Sequence, residues 1–247
     1  MIATSHADRL SAFARALIDQ QKARVIVPPN KMEPGYWFGG GNMVKIDGTI
    51  YLSGRYRNAG DSTTGLGKGE RGLELAIFAS SDSGANFSKH LSWSKEELGA
   101  DPDDVLSIEG TALNITPDGV ELFVSTEKRN RSYPDELAHY QKPGTGVWTI
   151  DRIAARDVEG LQGGTVSPLI SSDNPQYLHV KDPVAHRAGD GSTVLLFCTH
   201  PFNWSSSNSA YCVRPAGATE FAPPVFDFFP RGFTWDVSVT RVTDVLS

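Results

Sequence analysis

After Trp37 the chain is a succession of short apolar runs broken by turn chemistry, with no helical stretch of convincing length between them. That cadence confines the fold to an all-β sandwich, barrel or propeller. NMVKI and TIYLSGRYR flank Asp47-Gly48, the signal of a hairpin with a two-residue turn. LELAIFASS and NFSKHLSW flank Asp82-Ser83-Gly84, TALNI and VELFVSTEK flank Pro117-Asp118-Gly119, and DPVAH and TVLLFCTH flank Ala188–Ser192. WDVSVTRVTDVL is expected to start a further strand, while Lys95–Leu98 and Pro134–Tyr140 each have room for a helical turn or two.

A repeat, faint in letters but regular in pattern, selects the propeller over the jelly roll or sandwich. GGGNMV, SIEGTAL, VKDPVAH and TWDVSVT each set a polar or acidic residue just before a short apolar strand, at intervals of roughly 55–75 residues. The four residues are Asn42, Glu109, Asp182 and Asp236. A four-stranded blade with generous loops fills such a period. Residues 31–247 are therefore expected to form about three complete blades and the start of a fourth. The propeller is read as five-bladed, with six as the alternative, and as C-terminally incomplete in this chain, because an open propeller exposes unpaired edges. Residues 1–30 are read as an N-terminal helix and lead-in. There Leu10, Phe13, Ala14, Leu17 and Ile18 form one amphipathic stripe, with Ser5 as N-cap, expected to pack on the main domain.

Composition narrows the partners. Lys+Arg 23 against Asp+Glu 29 leaves a net charge of −6, the wrong sign for a nucleic-acid binder. No apolar run reaches the length of a membrane span, and no secretory signal is visible at the start, which favours a cytoplasmic location. The cysteines, Cys198 and Cys212, are too few for a disulfide scaffold and form no CxxC motif. Their segments are expected to pair across the loop Asn203–Ser209, facing each other as reduced thiols. No metal or cofactor is expected.

In a propeller the innermost strands line the axis, so equivalent strand starts converge. Asn42, Glu109, Asp182 and Asp236 should meet around one pocket. Enclosed carboxylates repel, so their pKa values separate and one acts as acid while another stays ionised. Glycosidic-bond cleavage requires that pairing. Glu109 is the favoured acid or base, with Asp182 and Asp236 as catalytic partners. Asn42 is expected to bind substrate. Arg55 and Arg57 share one face of a strand and suit a carboxylate or sugar, and Arg241 is placed to join them. Trp37 and Trp235 are expected to stack on sugar rings, with Phe38 and Trp204 nearby. His179, His186 and His200 fall near Asp182 without a ligand pattern. The expected partner is a carbohydrate substrate.

Two resemblances sharpen this reading. Ser80-Ser81-Asp82-Ser83-Gly84-Ala85-Asn86-Phe87 resembles the Asp-box of sialidases and related propellers, which implies a turn between outer strands, remote from a catalytic pocket. WFGGGNMV, SIEGTAL and VKDPVAH look like the inner-strand openings of five-bladed glycoside hydrolases of the family 43 and family 32 group. That resemblance implies a glycosidase with carboxylate acid/base chemistry. The chain departs from it by carrying Asn42 where those families place an Asp, and by placing Glu109 before Asp182. The alternatives are a sialidase-like exo-glycosidase for acidic sugars and a non-catalytic propeller that binds carbohydrate or protein.

Overall fold

The computed structural model describes residues 4–17, 19, 21–57, 72–99, 105–234 and 236–245. Three antiparallel sheets follow one another along the chain, each built from consecutive strands. The first holds β1 (Trp37–Gly39), β2 (Met43–Ile46), β3 (Thr49–Arg57), β4 (Glu74–Ser80) and β5 (Ser88–Ser94). β6 (Val105–Thr116), β7 (Gly119–Lys128), β8 (Val147–Ala155) and β9 (Ser167–Ile170) form the second. The third comprises β10 (His179–Arg187), β11 (Thr193–His200), β12 (Asn208–Arg214) and β13 (Val225–Phe229). Helices are few: α1 (Thr4–Ala16), α2 (Lys95–Leu98) and 3-10 turns at Asp135–Tyr140 and Glu159–Gly163. No helix among the described residues is long and apolar enough to cross a membrane.

Turn chemistry sets the register of the hairpins. Asp47 and Gly48 both take positive φ, 47° and 87°, so β2 and β3 pair from Ile46↔Thr49 outward across a two-residue turn. Between β4 and β5, the Asp82 carboxylate accepts from the Asn86 backbone N–H at 2.9 Å, the Asn86 amide at 2.7 Å and the Ser80 hydroxyl at 2.7 Å. Those bonds hold its pKa down at about 2. α2 starts with a reciprocal cap in which Ser94 Oγ accepts from Glu97 N–H and the Glu97 carboxylate accepts from Ser94 N–H.

Strand alternation divides the core in two. Along β7, Val120, Leu122 and Val124 point to the first sheet and join Leu75, Ile77, Trp93 and Ile108. Phe123, on the opposite face, packs with Ile150, Val180, Leu195 and Phe197 toward the third sheet. β7 is thus buried at every position after Gly119, as a strand covered on both faces must be. Glu121 shares the Phe123 face and receives both Nη atoms of Arg214, at 2.5 and 2.6 Å, plus Arg152 Nε at 3.0 Å. This buried clamp ties the second sheet to the third.

Three expectations meet a different structure. The apolar stripe of α1 stays in solvent, with Leu10 57% and Phe13 63% exposed. Ile26 and Val27 of the lead-in instead cover Phe38, Tyr56 and Phe78, so that face of the first sheet is already occupied. The WDVSVT segment forms no strand among its described residues. It lies beside the start of β12 through one parallel bridge, with Ser207 N–H donating to Ser238 O and Thr240 N–H to Ser207 O. The cysteine segments do pair as β11 and β12, but Cys198 lies opposite Ser209 and Cys212 opposite Leu195, so the two buried free thiols do not face each other.

Candidate active site

The openings of β2, β6 and β10 are drawn together by close backbone contacts. Gly40, at φ 76°, turns its carbonyl toward Thr111 N–H at 2.8 Å, joining the first sheet to the second. Gly110 lies so near Asp182 that a Cβ there would sit 2.8 Å from both its Cα and its Oδ1, which only a glycine permits. Ser125 Oγ completes the join by donating to Gly110 O at 3.0 Å and accepting from Asp182 N–H at 3.3 Å.

Regular pleating would point Lys181 and Asp182 to opposite faces. Here β10 is bulged between Lys181 and Val184, and Asp182 takes φ 55°, a conformation Asp tolerates better than most residues. The bulge brings both side chains to Glu109. Lys181 Nζ is 3.7 Å from Glu109 Oε1, and Arg55 Nη2 donates to the same oxygen. Arg241 Nη1 donates to Asp182 Oδ2 at 3.1 Å, and the Cys198 thiol donates to that oxygen at 3.3 Å. Side-chain exposure grades from Arg241 (41%) and Asp182 (29%) to Glu109 (15%), Lys181 (11%) and Arg55 (5%), so the first two form the mouth and the others the floor. Beyond it, where Thr111 and Pro183 continue the inner strands, lies a cavity of about 780 Å³.

Burial opposes ionisation of Glu109, but the Lys181 and Arg55 charges outweigh it and hold the carboxyl below its ordinary range. Asp182 is held down likewise, burial being overcome by Lys181 and Arg241. Lys181 rises against its own burial because Glu109 and Asp182 face it. Both carboxylates are therefore ionised at neutral pH, where carboxylates alone would have forced one to keep a proton.

Around this ionic centre stands an aromatic and imidazole shell. Lys181 Nζ lies 4.7 Å from the Trp148 ring centre and 5.5 Å from that of Trp204, and the Arg55 guanidinium lies 4.6 Å from that of Trp37. Trp204 takes φ 58°, an outlier for a bulky residue, and stacks on His179 at 4.0 Å. His179 Nδ1 accepts from Trp148 N–H, which leaves Nε2–H to face the Tyr133 hydroxyl at 3.2 Å. His200 takes the other tautomer: Nδ1–H donates to Ser206 O at 2.9 Å and Nε2 accepts from Arg241 Nη2 at 3.1 Å. Burial first pushes both imidazoles down to about 3, helped by His200 and Lys181 at His179 and by Lys181 and Arg241 at His200, so they are neutral.

Of the residues singled out in the sequence, the structure gathers Glu109, Asp182, Arg55, Arg241 and Trp37. Asn42 sits at the join of the first two sheets. Its Oδ1 accepts from Leu113 N–H and Ser53 Oγ, and its Nδ2 donates to Leu113 O, each within 2.9 Å. Arg57 is half-buried at the end of β3, opposite Trp37 in register. The Asp236 carboxylate lies beside Gly232, within 3 Å of where a Cβ there would stand. His186 lies further along β10, opposite Val194. Trp235 falls outside the described residues. Lys181 and Trp148 escaped the sequence reading, although a lysine inside the apolar run LHVKDPVAH was a legible signal, and Cys198 entered it only as a reduced thiol. No cluster of metal-ligating side chains occurs among the described residues.

No protein-family model matches the chain, and no curated protein matches it. Solved structures do resemble it. The GH43_1 enzyme from Xanthomonas citri complexed with xylotriose superposes with a TM-score of 0.53 at 11% identity, over 87% of this chain and 59% of that one. A family 117 glycoside hydrolase produced by the marine bacterium Zobellia galactanivorans gives 0.51 at 11%, over 80% and 58%. The β-1,2-mannobiose phosphorylase from Listeria innocua gives 0.52 at 10%, over 85% and 65%. The chain thus spans about three fifths of the length of these structures. At such identities the likeness is one of fold: the antiparallel sheets are arranged as in β-propeller glycoside hydrolases.

Proposed function

We propose that this chain carries the site of a glycosidase, in which Glu109 and Asp182 act together on a glycosidic bond. The observation that carries the reading is the pair itself: two partly buried carboxylates, from the neighbouring strands β6 and β10, brought together by a bulge and a glycine contact. Neighbouring folds that cleave or phosphorolyse glycosides support it. Asp182, the more open of the two, serves as base or nucleophile in its ionised form. Glu109, deeper and gripped by Arg55 and Lys181, is ionised at neutral pH. It therefore assists the leaving group only in molecules where it has first taken up a proton from solvent, which it then gives to the glycosidic oxygen. Trp37, Arg55 and Arg241 orient the sugar. Asp236, against Gly232, stands outside this set.

The test is hydrolysis of a panel of aryl glycosides, sialosides included. Turnover of one class that is lost in Glu109→Gln supports the reading. Full activity in Glu109→Gln sinks the assignment. Sugar binding without turnover, unchanged by loss of both acids, favours the non-catalytic propeller instead.

A further inference from the structure

The charges at this site do not balance among the described residues. Arg55, Lys181 and Arg241 face Glu109 and Asp182, three cations against two anions, and the third cation, Arg241, stands at the open mouth. The neighbouring imidazoles add no charge, because His179 and His200 are held neutral by burial and by those same cations. The adjoining cavity contributes one group of each sign, Arg187 and Asp244, and leaves the surplus in place. A chain of net charge −6 thus keeps an excess positive charge at the mouth of this site, on Arg241, above a floor whose two cations and two carboxylates match.

A second observation lies on the floor beneath it. Arg55 is 4% exposed, and its Nε and Nη1 are buried without a hydrogen-bond partner. Only Nη2 is engaged, on Glu109, while the half-exposed Trp37 ring lies over the guanidinium plane. Buried donors are nearly always satisfied, and a guanidinium with idle N–H groups is a fork suited to carboxylate or phosphate oxygens. Arg241, at the mouth, spends one N–H on Asp182 and one on His200, and its 41% exposure keeps the side chain open to an arriving anion.

We propose that the natural ligand of this site is a sugar bearing an oxyanion, a carboxylate or a phosphate, which is received by Arg241, the surplus cation at the mouth above Arg55 and Lys181. This rests on the glycosidase reading for the sugar, though not for the anion. Attraction between the locally positive pocket and an anion is then opposed by the net negative charge of the chain at long range, which confines recognition to the pocket.

The experiment is titration calorimetry of the whole chain with matched pairs: glucose against glucuronic acid and glucose 6-phosphate, and galactose against galacturonic acid. N-Acetylneuraminic acid, acetate and inorganic phosphate complete the set. At low ionic strength at least one acid should bind about tenfold tighter than its neutral partner, with the preference shrinking in about 0.5 M salt. Preference for the uronic acids identifies a carboxylate, and preference for the 6-phosphate with competition by inorganic phosphate identifies a phosphoryl group. Arg241→Gln should abolish the preference and Arg241→Lys should keep most of it, both with unchanged circular dichroism. Neutral sugars binding as well as their acids, or no saturable binding by any of the anions, overturns the proposal. Because the readout is binding, the two readings separate. Turnover of neutral glycosides without acid preference removes the anion and keeps the glycosidase, whereas acid binding without turnover does the reverse.

Discussion

Lys181 sits at the centre of the site's charge balance, and its removal has a defined sign. With the ammonium gone, burial of Glu109 is opposed by Arg55 alone, so the Glu109 pKa rises. If Glu109 must be protonated to assist the leaving group, the alkaline limb of kcat/KM moves to higher pH in Lys181→Met. The pH–rate profile measures this, and an unmoved limb would place the proton elsewhere. Gly110→Ala is the second test at this scale. A Cβ 2.8 Å from Asp182 Cα must push β6 and β10 apart, costing about 1–3 kcal/mol in urea unfolding and displacing one acid from the other. Glu109 and Gly110 were legible in the sequence because Glu is uncommon beside a strand and Gly invites close approach. The apolar run around Lys181 marked it as unusual, but its place beside Glu109 was not legible, since the bulge that turns it and Asp182 to the same side leaves no periodic trace.

Hairpins were read from their turns, and where a turn carried chemistry the element emerged with its register. Asp47-Gly48, Asp82-Ser83-Gly84 and Asp118-Gly119 each join the strands assigned to them. β8, β9 and β13 lie between long loops without such punctuation, and went unread. The α1 stripe was visible, but periodicity shows only that a face is apolar, not what covers it. Between elements, the Glu121 clamp gives a quantitative expectation. Glu121→Ala removes the carboxylate that Arg214 and Arg152 both grip in the join of the second and third sheets, and leaves Arg214 only the weaker charge of Glu220. It should cost about 3–5 kcal/mol, and adding Arg214→Met should recover part of that loss in urea unfolding. Equal stability of the single and double variants would show that the clamp contributes little.

Across the whole molecule, acid sensitivity should come from the imidazole shell before the carboxylates. His179 and His200 fall to about 3 when folded, against about 6.5 in an unfolded chain. Between those values the unfolded state binds more protons, so stability declines as pH drops below about 6.5 and continues to decline toward 3. By pH 5 the loss is about 2 kcal/mol per imidazole, and His200→Asn should flatten the fall in Tm between pH 7 and 5. Glu109 and Asp182 act lower: their depressed pKa values stabilise the fold above the ordinary carboxylate range, and that stability disappears as pH falls through their folded values. The β-propeller class of the chain was legible because strand openings repeat even where letters do not. The WDVSVT opening matched the pattern yet lies against β12, because its fit to Ser207 and Phe229 O is a tertiary contact that no local motif encodes.

Because each sheet is built from consecutive strands, the chain crosses from the second sheet to the third only once, through the largely exposed stretch 171–176. A break there would yield two pieces, each retaining all the strands of its own sheets. Glu109 would travel on one piece and Asp182 on the other, with Gly110, Ser125, Glu121 and Arg214 as the contacts that rejoin them. The chain is thus laid out as a two-part complementation system, in which recovery of the site reports that the halves have met.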